Sequence, residues 1–198
     1  MTASRITQTP NGWAFIVRGV PVAVASVSRH DIGNALAALT VAEALGVSLA
    51  DAAEALKAYT PPPMRMQTSK TEWGGTVLND AYNAAPASVA AALQTLAEYE
   101  GGRKIAFLGD MRELGTRAEE AHRELGPALA ALGGLDALYT VGGLAALIPD
   151  ATQRFADSED AARFAREALE LETGDVILVK GSRAMAMEKI AQALETCE

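Results

Sequence analysis

The chain has 198 residues, 49% of them hydrophobic, with 17 Lys and Arg against 25 Asp and Glu for a formal net charge of −8. The apolar content is ample for a packed core, and the acidic balance argues against a nucleic-acid or anionic-membrane surface, which clustered Lys and Arg usually meet. The only cysteine, Cys197, rules out an intrachain disulfide or a cysteine metal cage and suits a reducing cytoplasm.

No basic, then apolar, then small-residue pattern opens the sequence, and residues such as Thr40 and Glu43 interrupt its apolar stretches. Neither secretion nor a membrane span is expected. Residues 12–27 alternate and are rich in β-branched side chains, so they read as a hairpin turning at Arg18-Gly19. A helix is expected from about Asp31 to Leu45, stopped by Gly46. A second begins at Ser48, whose hydroxyl can cap, with Asp51 three residues on. Pro61-Pro62-Pro63 ends the helical pattern and stiffens a linker, which sets a domain boundary after residue 62. The first segment then holds two strands and two helices, little for an independent core.

Beyond the prolines, short apolar runs alternate with helical stretches, the pattern of a parallel sheet covered on both faces. Strands are expected at 66–70, 75–79, 103–109, 136–141, 152–155 and 174–180, and helices at 86–99, 116–132, 158–171 and 184–195. Thr116, Glu119 and Ser158 serve as start signals. Right-handed crossovers make this a Rossmann-like three-layer α/β domain with a mostly parallel six-stranded sheet.

The residues that carry chemistry fall at the predicted strand ends. In Asn79-Asp80-Ala81-Tyr82-Asn83-Ala84-Ala85-Pro86-Ala87-Ser88, Asp80 ends a strand, and Pro86 suits the first turn of a helix, where its missing N–H leaves no bond unmade. The carboxyl edge of an open α/β sheet is where ligands bind. A carboxylate there accepts hydrogen bonds from both hydroxyls of a ribose, or it merely starts a helix with a solvated side chain. Tyr82 reads equally as a lining or a packing residue. The loop Gly109–Gly115 follows a third strand: Asp110 either orients an amine or is structural, and Arg112 and Glu113 read as a surface ion pair. Lys180, Gly181, Ser182 and Arg183 occupy the last strand end and helix start, a setting suited to a carboxylate or phosphate. Asp31 reads as a helix N-cap, His30 as a packing residue at the helix entry, and His122 as part of a solvated helix face with Glu119, Glu120 and Glu124.

Four of these stretches, in order, resemble the Mur ligase family: "RHDIGNALAAL" from Arg29, "NDAYNAAPAS" from Asn79, "LGDMRELG" from Leu108 and "LVKGSR" from Leu178. The second is similar to a D-x-Y-N-A-x-P-x-S pattern. It looks more like the branch that adds D-alanyl-D-alanine to UDP-N-acetylmuramoyl-tripeptide than like glutamate-adding or folate-type relatives. The resemblance implies ATP and Mg2+ as cofactors and a phosphorylated acceptor carboxylate attacked by the dipeptide amine. It also implies that residues 1–62 are the end of a central ATPase domain and residues 63–198 a carboxyl-terminal Rossmann-like domain.

By the same resemblance Asp80 grips the ribose of ATP with Tyr82 and Asn83 beside it. Arg65 reaches the nucleotide as the domains close, and Asn34 contacts adenine. Asp110, Lys180, Ser182 and Arg183 take the amine substrate. Ser28 and Asp31 depart from the family's G-x-H-N-x-x-N-A. The 198 residues contain no G-x-x-x-x-G-K-[ST] loop, so no catalytic residue is assigned. The expectation is a cytoplasmic ligase portion that is inactive alone and works with missing amino-terminal domains. A free-standing nucleotide-binding module or a protein-interaction domain stays open beside it.

Overall fold

In a computed structural model of the chain, residues 1–9, 12–133 and 135–195 are described. Cys197, and the expectation resting on it, lies outside them. The chain forms two compact units, Met1–Pro62 and Pro63–Glu198.

The first unit is an antiparallel sheet of strands β1 (Ser4–Thr9), β2 (Gly12–Val17) and β3 (Val20–Val24) with helices α1 (His30–Ala44) and α2 (Leu49–Leu56). Alternation along β2 buries Trp13, Phe15 and Val17. These meet Ile32, Ala35 and Leu39, spaced to share one face of α1. Ser48 caps α2 by accepting the Asp51 N–H at 3.1 Å. β1 is a third strand where two were expected: every residue of it is exposed, so it carries no apolar alternation to read. Helix α1 begins one residue early. Asp31 is therefore not its N-cap but a first-turn residue, its carboxylate held by the Ser26 hydroxyl and, at 2.7 Å, by the Asn34 amide. His30 is exposed rather than packed.

The second unit holds strands β4 (Gln67–Lys70), β5 (Thr76–Asp80), β6 (Lys104–Gly109), β7 (Ala137–Val141), β8 (Gln153–Phe155) and β9 (Val176–Lys180), in the order β4-β5-β9-β6-β7-β8. Only β4 runs antiparallel. Successive side chains of a strand point to opposite faces. One set, including Val77, Ile105, Phe107, Val141, Ile177 and Val179, packs against α6 (Ser158–Glu167) and α7 (Glu188–Glu195). The Phe107 ring stacks on Tyr139 with centroids 4.7 Å apart. The alternate set, Leu78, Ala106, Leu108 and Leu178, is equally buried on the other side. There α3 (Pro86–Glu98) contacts β6 and β9 and also meets α5 (Leu125–Ala131). Helices on both faces of a mostly parallel sheet make this the expected Rossmann-like α/β fold.

The single helix expected over 116–132 is instead a 3-10 turn, Gly115–Arg117, then α4 (Ala118–Arg123), then α5. Pro127 has no N–H to bond the carbonyl one turn back, which breaks the run near Glu124. The last helix likewise begins at Glu188, after a 3-10 turn Arg183–Met185 and left-handed Ala186. Helix α6 stops at Glu167, short of the expected residue 171.

Candidate functional site

Strands β5, β9 and β6 lie side by side, so Asp80, Lys180 and the residue just past β6, Asp110, share one edge of the sheet. Asp80 and Lys180 are register partners on parallel strands. The Lys180 ammonium donates to Asp80 Oδ2 at 2.5 Å and to the Asn83 carbonyl at 2.9 Å, and its side chain is 2% exposed. Asp80 Oδ1 accepts the Met66 N–H at 3.1 Å. Burial pushes the Asp80 carboxyl up from the usual carboxylate range, against the opposing pull of Lys180, the Met66 N–H and Arg65.

Arg65 lies over the Tyr82 ring, its guanidinium carbon 4.2 Å from the centroid, in cation–π geometry. It stands between two left-handed residues, Met64 at φ 58° and Met66 at φ 49°. For side chains of this size that conformation costs roughly 1–2 kcal/mol each. It persists because the Tyr82 N–H donates to the Met64 carbonyl at 3.1 Å and Asp80 holds the Met66 N–H. Tyr82 is 43% exposed.

Asp110 is buried, and its Oδ1 accepts the Leu144 and Ala145 N–H groups at 3.0 and 2.8 Å. Its Oδ2 lies 3.1 Å from Arg112, which therefore pairs with Asp110 rather than with Glu113. A Cβ on Gly142, where φ is +103°, would come within 2.5 Å of Asp110 Oδ1, so that carboxylate needs glycine opposite it. Ser182 is also buried. Its hydroxyl accepts the Arg112 N–H at 2.8 Å and donates to the Ala84 carbonyl at 3.4 Å, tying three loops together. Arg183 is 56% exposed and pairs with Glu188 at 2.5 Å.

His122 corrects the solvated-face reading. It is fully buried, its Nε2 accepting the Met111 N–H at 2.9 Å while Nδ1 lies 2.6 Å from the Ala118 carbonyl. Those partners assign the proton to Nδ1. Its place on the apolar stripe with Ala121, Leu125 and Leu129 is the signal that reveals it. Asn34 belongs to the first unit, where it lines a cavity of about 140 Å3 with Val24, Asp31, Ala38, Leu56 and Tyr59.

The structure thus brings Arg65, Asp80, Tyr82, Asn83, Asp110, Lys180, Ser182 and Arg183 to one unit and one sheet edge. Among the described residues no three His, Cys, Asp or Glu side chains are grouped to hold a metal ion. No helix among them is long and apolar enough to cross a membrane.

A carboxylate, exposed guanidinium groups and short loops gather at the carboxyl ends of parallel strands, the edge at which open α/β sheets bind their ligands. The chain belongs to the Mur ligase family: the model for the Mur ligase, glutamate ligase domain matches residues 64–183. The UDP-N-acetylmuramoyl-tripeptide--D-alanyl-D-alanine ligase of Bacillus subtilis is 32% identical over 96% of this chain and 43% of its own length. MurF from Acinetobacter baumannii superposes with a TM-score of 0.84 at 30% identity, covering 98% of this chain and 44% of that one. A Thermotoga maritima MurF ligase solved in complex with ADP gives 0.80 at 25% identity, over 98% of this chain and 45% of that one. The chain therefore spans less than half the length of the relatives it matches.

Proposed function

We propose that this chain is the carboxyl-terminal part of an ATP-dependent amide ligase that adds D-alanyl-D-alanine to UDP-N-acetylmuramoyl-tripeptide. Residues 1–62 are the end of its central ATPase domain, and residues 63–198 are its carboxyl-terminal domain. The observation that carries the reading is Asp80, inside the family's most characteristic stretch, standing at the carboxyl end of β5 with a fixed carboxylate beside Arg65, Tyr82 and Asn83. Helix α1 agrees with the domain assignment. Val41 on it, and Leu45 and Val47 just beyond, are exposed, as on a helix that a larger domain covers.

Asp80 accepts hydrogen bonds from the ribose hydroxyls of ATP, and Arg65, steadied by Tyr82, offers its planar fork to the same nucleotide. Asn34 contacts the adenine. On the amine side, Arg183 clamps the dipeptide carboxylate, and Ser182 and Asp110 hold the loops that present it. Holding the amine in place raises its effective concentration at the acceptor carboxylate. ATP supplies the phosphoryl group that activates that carboxylate. Mg2+ belongs to the same expectation, but the carboxylates described here are committed to Lys180, backbone N–H groups and Arg112, and they do not form a site for it.

The test is ADP release by the native protein purified from its source. Release is expected only with ATP, the UDP-linked tripeptide and the dipeptide together, and none is expected from the 198-residue chain alone. Release that ignores the dipeptide would overturn the reading. So would a native protein that binds nucleotide and never turns it over, which is the behaviour of a free-standing binding module.

A further inference from the structure

We propose that Lys180 is a positioning residue that pairs with the Asp80 carboxylate and aims it, and that it does not itself receive an anionic ligand. The geometry comes from the fold alone; its consequence for nucleotide rests on the ribose reading above.

Asp80 and Lys180 end neighbouring parallel strands in register, so their side chains leave the same face together. An ammonium has three donors. Here two of them are occupied, by Asp80 Oδ2 and by the Asn83 carbonyl. With the side chain only 2% exposed the third donor does not reach solvent where it stands, so to meet a carboxylate there the ammonium would have to leave both partners. Asp80 would then be a largely desolvated carboxylate without its counter-charge, a costly state. Arg183, more than half exposed, needs no such exchange.

The contacts also explain what Lys180 does where it is. With Oδ2 held by Lys180 and Oδ1 by the Met66 N–H, the carboxylate plane is fixed from both sides, and its remaining lone pairs stay available for two hydroxyl donors. The second Lys180 bond fixes the Asn83 carbonyl, and with it the turn that carries Tyr82. Burial already drives the Asp80 carboxyl toward its neutral form. Of the charges that face it, Lys180 on β9 opposes this most strongly, ahead of Arg65 before β4. A protonated Asp80 would offer one donor where the ribose diol needs acceptors.

The decisive measurement is the titration of the Asp80 side-chain carboxyl, followed by 13C NMR in the 198-residue chain and in Lys180→Met. ADP and D-alanyl-D-alanine binding are measured on the same samples. In Lys180→Met the carboxyl midpoint moves up. ADP affinity at neutral pH falls about tenfold to a hundredfold, the loss expected for a misaligned charge-assisted contact. Dipeptide affinity is unchanged. An unmoved Asp80 midpoint overturns the proposal, and so does loss of dipeptide affinity with ADP affinity kept.

If Lys180→Met does not fold, the wild-type 15N ammonium signal of Lys180 decides. It shifts at the Asp80 midpoint if the pair is coupled, and an ammonium blind to Asp80 overturns the proposal. The ribose reading fails separately, if Asp80→Ala leaves ADP affinity intact while the carboxyl titration still responds to Lys180.

Discussion

Replacing Asp110 by Ala removes the acceptor of two backbone N–H groups at once, at 3.0 and 2.8 Å. The Ala145 residue is wholly buried, so its N–H has no water to turn to, whereas Leu144 is partly exposed and recovers some solvation. A hydrogen bond to a charged group contributes roughly 1.5–3 kcal/mol, and a stranded buried donor costs about 1–3 kcal/mol. The bond to the partly exposed Leu144 counts at the low end, and the Arg112 pair adds little because that guanidinium is half exposed. The sum is a loss of about 3–5 kcal/mol. Asp110→Asn keeps an oxygen for both N–H groups and gives up only the charge, so about 1 kcal/mol is expected. The assay is urea unfolding of both variants, with amide hydrogen exchange at Leu144 and Ala145 as the local reporter. Exchange there accelerates strongly in Asp110→Ala and slightly in Asp110→Asn. If Asp110→Ala cost less than about 1 kcal/mol, or left both amides protected, the loop-anchoring role would be refuted.

Three further outcomes are expected. In the native protein, Asp80→Ala raises the ATP concentration needed for half-maximal ADP release by about tenfold or more, as for loss of a charge-assisted contact; an unchanged ATP dependence would remove the ribose role. Arg183→Glu raises the dipeptide requirement far more than the ATP requirement, and equal effects on both would discard the clamp. Asp175 supplies a pH test. Burial pushes its carboxyl up, but two Arg103 hydrogen bonds, at 3.0 and 2.6 Å, and the Glu172 N–H outweigh that and hold it below the ordinary range. A lowered folded-state value stabilises the fold above the unfolded carboxylate range, and this contribution disappears as pH falls through the folded value. Asp175→Asn should therefore be less stable than wild type at neutral pH by about 2–3 kcal/mol, with the gap closing in acid. A gap independent of pH would show that the charge contributes nothing.

Much of the site was legible in the sequence because strand ends are marked locally. The apolar runs closing at Leu78, Leu108 and Val179 are each followed within two residues by a polar side chain, which placed Asp80, Asp110 and Lys180 on the ligand edge. The proline run and the alternation of strands with helices likewise specified an α/β domain. Local pattern failed where exposure or a single backbone atom decided the outcome. β1 is exposed throughout and has no apolar rhythm, and the missing N–H of Pro127 divided one helix into two; at His122 the neighbouring glutamates masked the apolar stripe it shares with Ala121, Leu125 and Leu129.

Which partner each polar group takes was decided by tertiary structure alone. Inserting β9 between β5 and β6 brings Lys180 against Asp80, 100 residues away, and Ser182 against the Arg112 N–H, 70 residues away. A side chain that reads locally as a free cation becomes a buried counter-charge because strand order, which no window of sequence encodes, chooses its neighbour.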